Sequence, residues 1–192
     1  TLSYFDSATG LPNRRHLLEQ LSTALTDRKS GTALCVAAFR VHGLDRIAQA
    51  HGAELADKIL SEAARQIGEH LAEAGTGGTL LKQANTARVC RTSEAGLAML
   101  IHSREPVENL PDLICTALAR VSGQPTNLGT EYLPAVSAGI ALVDGDTTGA
   151  EQLLTNAQAA SEQAREPRSC ERFTPVPLAR SRRRLAIETA LR

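Results

Sequence analysis

The chain has 192 residues and a mass of 20.4 kDa, 42% hydrophobic and 22% charged, with 21 basic side chains against 21 acidic ones. That is enough chain to bury a core without disulfides or a metal, and zero net charge argues against bulk electrostatic capture of nucleic acid or an anionic membrane surface. With 3% aromatic residues and no Trp, base-stacking platforms and aromatic ligand cages have little material.

Leu17, Leu18, Leu21, Ala24 and Leu25 recur at helical spacing after Pro12-Asn13 and predict a first helix from about Pro12 to Asp27. Thr32 to Val41 is almost continuously apolar, the pattern of a strand covered on both faces. Leu44 and Ile47 mark a short helical turn, and Leu60, Ala63, Ala64, Ile67 and Leu71 line one face of a helix beginning near Ala53. Glu73 to Gly78 has loop composition. Two short strands follow, Arg88 to Arg91 and Leu97 to Ile101, at hairpin separation. Leu110, Leu113, Ile114, Ala117, Leu118 and Val121 make a second long amphipathic helix. Ala135 to Val143 is a further buried strand, Leu153 to Ala164 a third helix, and Arg172 to Thr174 a short edge strand. The order β-α-β-β-α-β inside flanking helices predicts an α+β fold with a ferredoxin-like βαββαβ core, an antiparallel central sheet with helices packed on it.

The character changes at Pro175. Residues 1–174 form the domain, and 175–192 a basic, helix-prone tail in which five arginines stand against Glu188, so the tail carries +4 and the rest −4. Cys35, Cys90, Cys115 and Cys170 form no CxxC pair, have no His at ligand spacing, and are expected as small buried hydrophobes in a reducing cytoplasm. No run is long enough to span a membrane, and Thr1 to Asp6 show no basic start followed by an apolar run. The missing initiator Met suggests a piece cut from a longer protein. His42 and His51, nine residues apart without acidic or Cys partners nearby, are expected as ordinary surface histidines rather than metal ligands.

The run Asp6-Ser7-Ala8-Thr9-Gly10-Leu11-Pro12-Asn13-Arg14-Arg15 resembles the D-x-L-T-G-L-P-N-R-R opening of GGDEF domains, the bacterial diguanylate cyclases, and departs from it only at Ala8. The resemblance extends to about Phe173. TALCVAAFRV with HGLDRIAQAHGAELADKIL aligns with the family's D-x-D-x-F-K-x-I-N-D-x-x-G-H-x-x-G-D-x-x-L. VSAGIAL matches its S-x-G-I-A strand, and LLTNAQAASEQAR its A-D-x-A-L-Y-x-A-K helix.

A cyclase that joins two GTP molecules needs Mg²⁺ held by carboxylates. The resemblance puts the two carboxylate positions at Arg40 and Ala95, a charge reversal and a deletion of the ligand. The signature itself becomes Ser93-Glu94-Ala95-Gly96-Leu97; Ser93 and Glu94 replace the glycines that let a nucleotide approach the backbone. The phosphate-side Lys becomes Asp45. The guanine-reading Asn becomes Ala48, while its partner survives as Asp57, a vestigial nucleotide contact. The inhibitory R-x-x-D motif falls on Ala84 and Ala87. In the last helix the Lys becomes Arg165 and the Tyr becomes Glu162. Asp6 and Arg91, which belong to the scaffold in the family, both remain. Family aromatic positions here hold Leu44, His51, Leu97 and Glu162, which accounts in part for the scarce aromatics.

What the resemblance implies is a GGDEF domain that keeps its fold and has lost its activity, with no catalytic residue, no inhibitory site, no cofactor and no Mg²⁺. The tail from Arg182 to Arg192 resembles the linker helix that opens an EAL domain in hybrid GGDEF–EAL proteins, and the composite resembles degenerate hybrids of the FimX type, regulators of type IV pili. The expected partners are a C-terminal EAL domain of the same chain, a second copy as homodimer, or another signalling protein. The alternatives are GTP binding without turnover, as an allosteric input, and a cyclase with replacement ligands. Arg40 with Asp45 or Glu94 could close an ion pair over the vacated metal site; the other possibility is that these are unrelated exposed side chains.

Overall fold

The structure is a computed structural model that describes residues 3–27, 33–74, 88–103, 106–123, 126–127, 131–143 and 149–175. The tail expected at 175–192 lies outside these residues except for Pro175, as do Ala84 and Ala87 and most of the expected loop; Glu73 and Ala74 still belong to a helix.

Helix α1 spans Arg14–Thr26, starting where Asn13 accepts a hydrogen bond from the His16 amide with its side-chain oxygen, and it buries Leu17 and Leu21. Strand β1 (Ala33–His42) follows, then α2 (Leu44–His51) and α3 (Ala53–Ala74), separated at Gly52, whose φ of 93° breaks the helical path. The expected single turn after β1 is thus a two-turn helix. Strands β2 (Cys90–Arg91) and β3 (Gly96–Ser103) form the expected hairpin, and a 3₁₀ turn leads into α4 (Leu110–Val121). A small hairpin of β4 (Thr126–Asn127) and β5 (Glu131–Tyr132), absent from the sequence reading, precedes β6 (Ala135–Leu142). Helix α5 (Ala150–Gln163) and strand β7 (Cys170–Arg172) complete the fold.

The main sheet runs β2-β3-β1-β6-β7. Its first four strands pair antiparallel in the order of a ferredoxin-like core, as expected. At the edge β7 lies parallel to β6, because α5 carries the chain back along the sheet before β7 begins, so the five-stranded sheet as a whole is mixed.

Alternation along the strands divides the core in two. Cys35, Ala37, Phe39 and Val41 pack with Ile59, Leu60, Ile67, Ile114 and Leu118 from α3 and α4. Leu34, Val36 and Ala38 pack with Leu17, Leu21, Leu153 and Leu154 from α1 and α5. Burial on both faces is why β1 has an apolar run with no alternation in it. Cys35 and Cys90 are buried, but Cys115 and Cys170 are only partly so, a correction to the expectation for all four. Residue 115 lies on the flank of α4 and residue 170 on the edge strand, where neither face is fully covered.

Candidate functional site

The N-terminal segment is built around Asp6. Its carboxylate accepts from the Thr9 amide at 2.9 Å and the Thr9 hydroxyl at 2.7 Å, and Gly10, at φ 70°, donates to the Asp6 carbonyl. Arg91, on β2, donates from one terminal nitrogen to Asp6 at 2.9 Å, and the same nitrogen forms an ion pair with Asp57 of α3 at 2.9 Å. Its backbone amide bonds the Pro12 carbonyl and its Nε the Ser93 carbonyl. One guanidinium therefore joins three segments distant in sequence. Burial raises the Asp6 pKa, but the hydrogen bonds from Thr9 and the Arg91 guanidinium outweigh it and leave the carboxyl below its ordinary value.

Asp57 is thus engaged by Arg91, a partner the sequence reading did not assign to it. Nothing in the spacing of residues 34 apart signals the pair, since it exists only after α3 has packed beside the hairpin.

At the end of β1, Arg40 sits opposite Gly96 of β3 in the register, and the Val41 amide donates to the Ala95 carbonyl at 2.9 Å. The fold brings the two predicted ligand positions together, Arg40 on β1 beside Ala95 in the hairpin connection just before β3. Arg40 is exposed; the Ala95 methyl packs inward on the core below α3 and α4. Ser93 and Glu94 are exposed at the hairpin tip, Gly96 continues into β3, and Leu97 is fully buried. A Cβ on Gly96 would lie 2.3 Å from the Ser93 hydroxyl, so this remaining glycine accommodates the side chain that stands at the signature's first position.

Asp45 is exposed in the first turn of α2, one turn from half-buried Ala48. Among the described residues no ion pair joins Arg40 to Asp45 or Glu94, so these are separate exposed side chains. Glu162 and Arg165 are exposed near the end of α5. No group of three or more His, Cys, Asp or Glu side chains among the described residues is arranged to hold a metal ion.

His42 differs from the surface histidine expected. It is half-buried, and its Nε2 lies 2.9 Å from the hydroxyl of fully buried Ser137 on β6. Burial, and then the Arg40 charge, lower its pKa and favour the neutral ring. Tyr132 of β5 donates its hydroxyl to the His42 carbonyl at 2.9 Å, closing the corner beside Gly43. Ser137 is the Ser of the S-x-G-I-A match, but its contact with His42 exists only across the β1–β6 pair, and Tyr132 reaches His42 from the separate β4–β5 hairpin, so neither link is readable from the sequence. His51 is exposed, as expected.

A ferredoxin-like sheet with a signature-position hairpin tied back to an N-terminal Asp turn defines a nucleotidyl-cyclase type of domain. A family model described as "Diguanylate cyclase, GGDEF domain" matches residues 3–169, and the chain belongs to the GGDEF family. No curated protein sequence matches it significantly. Among solved structures, the GGDEF domain of DgcB from Caulobacter crescentus, in complex with c-di-GMP, is 18% identical at TM-score 0.70, covering 90% of this chain and 97% of that one. The FimX GGDEF domain from Pseudomonas aeruginosa is 19% identical at TM-score 0.66, covering 89% and 99%. An EAL/GGDEF domain protein from M. capsulatus is 24% identical at TM-score 0.60, covering 85% and 100%. At these identities the likeness is one of fold. No helix among the described residues is long and apolar enough to cross a membrane.

Proposed function

We propose that this GGDEF domain has no cyclase activity and serves as a regulatory or scaffolding module in a cyclic di-GMP signalling protein whose EAL half binds or hydrolyses cyclic di-GMP. The observation that carries this reading is the corner at which β1 meets the hairpin. It presents an exposed guanidinium at Arg40 and an inward-facing methyl at Ala95, where the family chemistry calls for carboxylates. Neither side chain has an oxygen for a hard cation, so Mg²⁺ does not fit these donors and has no part in the reading. Asp45 and Glu94 add negative charge where a triphosphate would need positive charge.

Asp57, held by Arg91, is not free to read a base unless that pair opens. The preserved elements are those that hold the fold: the Asp6 turn, the Arg91 node and both halves of the core. The parent protein is proposed to be a cytoplasmic hybrid of the FimX type, acting in type IV pilus and biofilm regulation, with the EAL domain of the same chain, a second copy or another signalling protein as partner.

Incubation of the chain at high concentration with GTP and Mg²⁺ or Mn²⁺ tests the central claim. No cyclic di-GMP is expected above a protein-free control, and enzyme-dependent product would overturn it. Calorimetry with GTP separates a module that binds nothing, giving flat heats, from one that keeps GTP as an input, which would bind at micromolar strength.

A further inference from the structure

The outer face of α1 carries a groove of about 790 Å³ lined by Arg14, Arg15, Leu18, Glu19, Ser22 and Thr23. Several of its polar groups already have partners within the chain. The Thr23 and Thr26 hydroxyls donate to the Glu19 and Ser22 carbonyls, each at 3.0 Å, which leaves no need for water at either oxygen. Arg14 is fixed by two hydrogen bonds to Glu151, at 3.1 and 2.5 Å, and Arg15 pairs with Glu19 at 3.5 Å and lies over the Tyr4 ring. Phe5, 50% exposed, stacks on the ring of His16 beside this face. With its long side chains already ordered and Leu18 only half-buried, the face can be covered by another helix at little cost in side-chain freedom.

The charges on α1 run against its own dipole. Arg14 and Arg15 occupy a first turn that holds no acidic residue, and Asp27 caps a C-terminal end whose last turn holds no basic one. In an isolated helix that order is unfavourable at both ends. An antiparallel copy of the same helix corrects both at once, because its C-terminal end and its Asp27 come beside Arg14 and Arg15, and the reverse. The tail at 175–192 has the wrong sign to take that place, since its five arginines would meet Arg14 and Arg15.

We propose that α1 is a homodimer interface, on which a second copy of this chain lays its own α1 antiparallel about a twofold axis. At full overlap Arg14 comes level with the other copy's Asp27, Leu18 with its Thr23, and Glu19 with its Ser22. The helix is about 20 Å long, and small Ser22 near its middle lets the two axes approach closely. The interface lies apart from the corner of β1 and the hairpin and needs no nucleotide.

Sedimentation equilibrium of the full chain over a range of concentrations tests this, and a reversible dimer is expected. Ser22→Tyr puts bulk on an exposed position of the face, and Asp27→Lys sets a cation against Arg14 and Arg15. Each should weaken the dimer about tenfold or more with circular dichroism unchanged. Arg15→Asp/Asp27→Arg, which exchanges the signs at the two ends, should recover part of what Asp27→Lys loses. Amide exchange across residues 14–26 should slow as concentration rises. A chain that stays monomeric, or a dimer that Ser22→Tyr and Asp27→Lys leave at parental strength, would overturn the proposal. So would slow exchange of α1 in a monomer at every dilution, which would assign the face to the chain's own tail.

Discussion

Arg91 is 15% exposed, and its two carboxylate partners are 28% and 23% exposed, so the ion pairs are shielded but not desolvated. Removing the guanidinium leaves two half-buried carboxylates facing each other and releases the hairpin from Asp6. Arg91→Ala is expected to cost about 2–3 kcal/mol in urea unfolding, below the range for fully buried pairs because water screens part of the loss. Arg91→Lys should recover only part of it, since an ammonium cannot also supply the Nε contact to the Ser93 carbonyl. A variant within 0.5 kcal/mol of the parent would show that the node is incidental. His42 contributes to the pH dependence, together with His102, whose pKa burial also lowers. The folded pKa of His42 lies below the ordinary 6.5, so as pH falls through that value the unfolded chain takes up a proton that the folded chain resists. Stability contributed by the neutral ring is therefore complete above about pH 7 and declines toward the folded pKa. Unfolding midpoints measured from pH 7.5 to 5 should fall, and His42→Asn should reduce that slope, leaving the part due to His102. Both residues show a limit of one-dimensional reading: Asp6 and Arg91 could be assigned to scaffold by resemblance, whereas the links from Arg91 to Asp57 and from His42 to Ser137 depend on packing between elements far apart in the chain.

Individual elements were legible where periodicity was long. Helices α3, α4 and α5 follow their apolar stripes, and β1 and β6 follow their unbroken apolar runs, because each buries a continuous face. The β4–β5 hairpin escaped because two-residue strands carry no period, and the parallel direction of β7 depends on where α5 delivers the chain. One residue shows how closely the elements fit. A Cβ at Gly139 of β6 would lie 2.1 Å from the Ser161 amide nitrogen and 2.4 Å from the Ala157 carbonyl oxygen, both backbone atoms of α5. No rotamer relieves such a clash, so the helix would have to lift off β6. Gly139→Ala is expected to destabilise the domain by about 3 kcal/mol or more, or to prevent folding, and a thermal melt against Gly149→Ala, which meets nothing within 4 Å, is the comparison. At the other end of the scale, Asn13→Ala removes the α1 cap and should cost about 1 kcal/mol, with Asn13→Asp restoring most of it.

Across the whole molecule, the ferredoxin-like order puts the end of β1 beside the β2–β3 hairpin, so any chemistry of this fold at that corner depends on several segments meeting there. Position is preserved, as the Arg40–Gly96 register and the Val41–Ala95 hydrogen bond show, while the donors at the corner are different. Restoring the two predicted ligands alone then makes a decisive experiment. In the double variant Arg40→Asp/Ala95→Asp, carboxylates return to the end of β1 and the neighbouring hairpin, but Asp45 still opposes a triphosphate, Ala48 offers nothing to a base, and Ser93 and Glu94 still crowd the hairpin. Catalysis needs the nucleotides bound and oriented as well as a metal, and a misplaced substrate forfeits most of the rate even where the metal is present. The double variant is expected to make no detectable cyclic di-GMP with GTP and Mg²⁺. It should also melt lower than the parent, because the Ala95 methyl packs on the core and a carboxylate there is partly desolvated. Turnover by the folded double variant would mean that nucleotide binding had survived intact and that activity was lost through the metal site alone; its absence, with circular dichroism unchanged, would place the loss in the binding surface as a whole.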